Sequence, residues 1–105
     1  MREIELRVTK INLKEITGED KEIDFDYKFN MLEVLNTPLE NGMSLEDIEK
    51  RLNLRKKLKD SQSVIKLEET EYEYLKKLII EEKWKIVDQS IIDYVNHIKN
   101  AKQVK

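Results

Sequence analysis

Apolar and polar residues alternate from the first positions: Ile4, Leu6 and Val8 share one side of an extended chain, and Glu3, Glu5, Arg7 and Thr9 the other. A period of two predicts a half-buried strand. The phase shifts at Ile11 and Leu13, which predicts a bulge near Lys10. After the turn residues Thr17-Gly18-Glu19-Asp20, alternation resumes at Ile23, Phe25, Tyr27 and Phe29. The simplest pairing of the two runs is a β-hairpin over residues 1–29. An isolated hairpin is marginal in water, so its apolar face has to lie on whatever follows.

From Tyr27 or Lys28 the spacing becomes helical, with Met31, Leu32, Val34 and Leu35 predicting a short helix that stops at Asn36-Thr37-Pro38. Pro38 biases Thr37 out of the helical region. Residues 37–43 are the one clear connector, and three further helix starts share a grammar. Ser44 is an N-cap with Asp47 at the third helical position and a hydrophobic staple of Met43 and Ile48. Asp88 repeats it with Val87 and Ile92, and Glu68 with Leu67, Tyr72 and Glu71. Tyr72, Leu75, Leu78 and Ile79 then form one stripe, and Ile91, Ile92, Tyr94, Val95 and Ile98 a broad face on the last helix. Val64-Ile65-Lys66-Leu67 is expected to be a short extended piece against the hairpin edge, and residues 101–105 a frayed tail. The pattern gives a single α+β domain over residues 1–105, an N-terminal β-hairpin packed on a bundle of about four short helices in residues 30–100.

Composition narrows the functional classes. The chain has 105 residues, room for one core. Its charged fraction of 40% exceeds the usual ~25%, so the surface should be rich in ion pairs over a thin core. Twenty Lys and Arg face 22 Asp and Glu, a net charge of −2, which argues against a general polyanion binder. The absence of cysteine removes disulfides, thiolate nucleophiles and zinc ribbons. With two glycines and no phosphate loop, nucleophile elbow or paired His-Glu motif, neither an enzyme nor a cofactor is expected. The start MREIELRVTK places charges where a signal peptide is apolar, and no run approaches the ~20 apolar residues of a membrane span. A cytoplasmic protein with no membrane partner is expected.

Met43–Leu58 admits two readings. At about 100° per residue, Leu45, Ile48 and Leu52 share one side of a helix while Leu54 and Leu58 point nearly opposite. The chain either turns near Asn53, as in a helix-turn-helix, or forms one helix buried on two faces. In the first case Arg51, Arg55, Lys56, Lys57 and Lys59 would meet DNA phosphates and base edges. Against it, Glu49 holds the place of the usual small packing residue, and the basic segment offers more Lys than bidentate base readers. In the second case those cations form a solvated side supported by Glu46–Lys50 and Asp47–Arg51 pairs.

Four other features pair a functional use with a structural one. Phe25, Tyr27 and Phe29 could stack single-stranded bases, but Ile23 shares their face and the hairpin needs a core side. Glu22, Asp24 and Asp26 could meet a cation only if a second cluster converged on them; a solvated strand face is expected. The lone His97 has no legible acid–base partner and is expected on a helix surface. Trp84 falls at the junction of the last two helices, either closing the core there or serving as an interface anchor.

The order Ser44-Leu45-Glu46-Asp47-Ile48, Arg51-Leu52, Leu58, Leu67-Glu68, Tyr72-Glu73-Tyr74-Leu75, Trp84, Asp88 and Ile91 resembles small, functionally unassigned proteins of tailed phages and prophages. The resemblance covers Asn30 to Ile98, leaves out the hairpin and carries over no catalytic residue. It implies a phage accessory or morphogenesis protein that acts by contact with a phage or host protein, or with copies of itself. The alternative is a helix-turn-helix-like DNA-binding regulator using residues 50–59.

Overall fold

The computed structural model describes residues 1–104. Its elements, in chain order, are β1 (Arg2–Glu5), β2 (Val8–Asn12), α1 (Lys14–Thr17), β3 (Glu22–Asp26), α2 (Tyr27–Asn36), α3 (Leu45–Asp60), β4 (Val64–Leu67), α4 (Glu69–Glu81), α5 (Gln89–Lys99) and β5 (Lys102–Gln103). The class is α+β. The hairpin is β2 against β3, in antiparallel register from Val8 opposite Asp26 to Asn12 opposite Glu22. Gly18, at φ 83°, takes the left-handed conformation that ends α1 inside the hairpin connection.

The first strand does not join that hairpin. β1 lies between β4 and β5 in a separate antiparallel sheet, with Ile4 opposite Ile65 and Arg2 opposite both Leu67 and Gln103. The phase shift assigned to a bulge near Lys10 is a break at Leu6-Arg7, where the chain crosses between sheets. There Leu6 N–H donates to the Ser63 carbonyl and the Arg7 carbonyl accepts from Tyr27 N–H. Ile4 is inward on one side of the break, while Thr9 and Ile11 are the inward residues after it. Val64–Leu67 is extended, as its pattern predicts, but it pairs with β1 and not with the β2–β3 hairpin. Residues 101–104 are not frayed, because β5 pairs with β1, Ala101 is buried, and Val104 N–H donates to the Met1 carbonyl. Lys105 lies outside the described residues.

Three helix starts follow their caps. Asp47 N–H donates to Ser44 Oγ at 3.1 Å and Ser90 N–H to an Asp88 carboxylate oxygen at 2.9 Å. Glu68 N–H donates to Glu71 Oε1 at 2.8 Å. The staple at Asp88 is absent: Val87 is 96% exposed and Ile92 54%. A fourth cap, Asp26, accepts from Phe29 N–H at 3.2 Å and turns β3 directly into α2.

The core joins both sheets to α2–α5 through Ile4, Ile11, Met31, Leu58, Leu67, Tyr72, Leu75 and Ile98, all at most 1% exposed. Tyr72 contributes a polar bond as well as bulk. Its hydroxyl donates to the carbonyls of Ile98 at 2.6 Å and Lys99 at 3.0 Å, tying α4 to the end of α5. Tyr72→Phe leaves those carbonyls without this donor, so it is expected to cost about 1 kcal/mol, read as a lower urea midpoint with an unchanged slope. An unchanged midpoint would mean that water replaces the hydroxyl.

Candidate protein-contact site

The ambiguity at Met43–Leu58 resolves into one unbroken helix, which starts at Leu45 and runs to Asp60. Asn53 is mid-helix, and no non-glycine residue has a positive φ among those described, so the tight turn of a helix-turn-helix is missing. Only one face of α3 is buried, the one carrying Arg51, Leu54 and Leu58. Leu45, Ile48 and Leu52 point outward at 74%, 37% and 47% exposure.

This rotation disperses the five candidate DNA-contacting cations. Arg51 is 5% exposed, and its Nη1 donates to the carbonyls of Val34 at 3.2 Å, Leu35 at 3.3 Å and Thr37 at 2.7 Å. It caps the C-terminal end of α2, where the helix dipole favours a cation, and does not face solvent as a phosphate contact would require. Arg55 donates to Asn36 Oδ1 at 2.9 Å. Lys57 bonds Glu71 at 2.7 Å. Burial alone would raise the Glu71 carboxyl, but hydrogen bonds from Lys57, the Glu68 N–H and Asn53 outweigh it and hold it below the usual carboxylate range. Of the five, Lys56 and Lys59 alone are exposed.

The aromatic residues separate in a similar way. Phe25 and Tyr27 are buried, with ring centroids 5.4 and 4.9 Å from Tyr94. Trp84 stacks edge-on to Tyr94 at 5.9 Å and lies 5.9 Å from Phe25, so it closes the core while remaining partly accessible. The Asp26 cap starts α2 one residue after β3, which sends Tyr27 inward and leaves Phe29 58% exposed. Phe29, Trp84, Ile86, Ile23, Phe25 and Ile91 line an open groove of about 410 Å³, with Asp24 and Asp26 also on its wall.

The segment that builds the far wall is not helical. Over residues 82–88, Glu82, Trp84, Ile86 and Asp88 are sheltered, and Lys83, Lys85 and Val87 are exposed. That period of two stands in the sequence between Glu82 and Val87, and is the signal by which Ile86 could have been found as a groove residue. Glu22, Asp24 and Asp26 do not converge on one another: Asp24 pairs with Lys10, and Asp26 is committed to capping. His97 lies on α5 and is partly exposed. Its Nε2 lies 2.9 Å from the Glu5 carbonyl, which can only accept, so Nε2 carries the proton and braces α5 against the start of the chain.

One carboxyl near the groove is unusual. Glu82 Oε2 is buried without a hydrogen-bond partner, as is the hydroxyl of Tyr94. Burial first, and then the charge of Glu33, push the Glu82 carboxyl up to about 7. Burial, with Glu82 and Tyr27 nearby, raises the Tyr94 hydroxyl as well. Glu82 also lines a cleft of about 640 Å³ with Glu33, Leu39, Leu78, Lys83 and Lys85. Among the described residues no three His, Cys, Asp or Glu side chains group as a metal site, and no helix is long and apolar enough to cross a membrane. Comparison of the chain with protein-family profiles, with curated proteins and with solved structures returned no match.

Proposed function

We propose that this protein acts by protein–protein contact and not by catalysis, taking an apolar side chain or short apolar segment of its partner into the groove beside Trp84. The observation that carries this reading is Phe29, 58% exposed at an open apolar groove of about 410 Å³. A large ring held outward by helix capping, beside a partly accessible tryptophan, is the composition that interface hot spots favour. The sequence resemblance supplies the proposed setting, an accessory or morphogenesis role in a phage or prophage, inside the host cell, with a phage or host protein as partner. The DNA-regulator alternative draws less support, since of the five candidate cations two, Lys56 and Lys59, are exposed, and the exposed Lys50 of the same segment is paired with Glu46, which leaves too few for more than weak, salt-sensitive attraction.

A photoreactive amino acid replacing Phe29 in the expressing cell should cross-link one predominant protein. That protein, purified, should bind the wild type at least about tenfold more tightly than Phe29→Asp, with a shift in the emission of Trp84, the chain's one tryptophan. Because Phe29 is exposed, the variant should keep its fold. Equal affinity for both forms would reject the groove as the contact site.

A further inference from the structure

The outward face of α3 carries a second apolar surface that shares no residue with the groove. Leu45, Ile48 and Leu52 fall on one stripe, and Leu45, 74% exposed, projects at its N-terminal end. Beside Ile48 and Leu52 is a recess of about 160 Å³ that Leu35, Met43 and Arg55 also line. The surface thus offers a leucine knob and, further along the same helix, a recess with an apolar side of Leu35, Met43, Ile48 and Leu52 and a polar rim of Asn36, Arg51 and Arg55.

We propose that this face pairs with the same face of a second copy of the chain, the two α3 helices antiparallel about a twofold axis and Leu45 of each entering the recess of the other. A twofold interface has to be self-complementary, each contact occurring twice. An antiparallel alignment centred between Ile48 and Leu52 meets that condition, because it brings Leu45 of one copy beside Leu52 and Arg55 of the other. Charge selects the same orientation. The first half of α3 carries Glu46, Asp47 and Glu49 with Lys50, which pairs with Glu46, and the buried Arg51, while the second half carries Arg55, Lys56, Lys57 and Lys59 against the single acid Asp60. A parallel pair would set like charge on like, whereas an antiparallel pair sets acid against base at both ends. Lys56 and Lys59 form no ion pair among the described residues, which leaves them available.

A helix of 16 residues is about 24 Å long. Its face buries less than the ~800 Å² per partner of a standard interface. Weak, transient association is therefore expected. The inference rests on reading the chain as a contact protein but uses a different face, so the two fail separately. Phe29→Asp should dimerise like the wild type.

Sedimentation of the full chain over a concentration series tests it. The wild type should shift from monomer to dimer, and Leu45→Glu should stay monomeric with an unchanged circular-dichroism spectrum, since glutamate suits the first turn of a helix. Glu46→Lys with Glu49→Lys, and separately Lys56→Glu with Lys59→Glu, should each be monomeric alone and dimerise when mixed. A wild type monomeric up to about millimolar concentration, a dimer indifferent to Leu45→Glu, or charge variants that associate no better mixed than alone would each overturn the proposal.

Discussion

Replacing Arg51 with alanine is expected to destabilise the fold by about 3 kcal/mol. The guanidinium is almost wholly enclosed, yet the groups it bonds through Nη1 are three backbone carbonyls at the end of α2, with no carboxylate among them. The carbonyls of a helix C-terminus have no intrahelical donors, and here one fixed cation serves Val34, Leu35 and Thr37 together. Alanine leaves those oxygens in a space that water enters poorly and also removes the stem that spaces α3 from α2. Arg51→Lys should recover only part of the loss, because an ammonium on a flexible stem does not reproduce the planar fork. Urea unfolding followed by Trp84 fluorescence measures both variants. A loss below about 1 kcal/mol for alanine would show that the carbonyls are solvated without the arginine.

Glu82→Gln is expected to make the protein more stable at pH 8 by on the order of 2 kcal/mol, after allowance for solvent screening of a half-buried group. The direction follows from linkage. A carboxyl whose folded pKa is about 7 against an ordinary value of 4.5 binds its proton more tightly when folded. Stability from that proton is fully present below pH 4.5, declines as pH rises between the two values, and is gone above about 7. Over that window the wild type should fall relative to the glutamine variant, which carries no titrating group there. Thermal melts at pH 5, 6, 7 and 8 should diverge by about 10 °C at the alkaline end. Parallel curves would show that Glu82 is solvated in the native state. Glu33→Gln should reproduce a smaller part of the effect, because its charge is the second cause after burial.

Local chemistry made most element boundaries legible. Ser44, Glu68 and Asp88 announced α3, α4 and α5, because a cap acts within four residues of itself and its signal lies in the sequence. Strand partners were less accessible. Alternation in Ile4, Leu6 and Val8 records which side meets the core but not which strand lies alongside, so a crossing at Leu6-Arg7 reads like a bulge within one hairpin. β5 is too short and too polar to carry any periodic signal. Arg51 carries the weakest local signal of its position. A charged side chain among lysines reads as solvated because arginines are seldom buried, and only the approach of the α2 terminus, distant in sequence, gives it partners. Phe29 went the other way, grouped with the inward aromatics by the period of two that Asp26 interrupts.

The position of β1 sets an order on synthesis. Its two neighbours are β4, beginning at Val64, and β5, beginning at Lys102. While the chain is being made, β2 and β3 can pair almost at once, but the strand just before them has nothing to hold. Translation must pass residue 67 before one edge of β1 is covered and residue 103 before the other is. For most of that interval a nascent chain exposes Ile4 and an open strand edge, the arrangement most prone to pairing with a neighbour on the same message. Its short length and its flanking Glu3, Glu5 and Arg7 are the means the sequence has for keeping such chains apart until the last strand arrives.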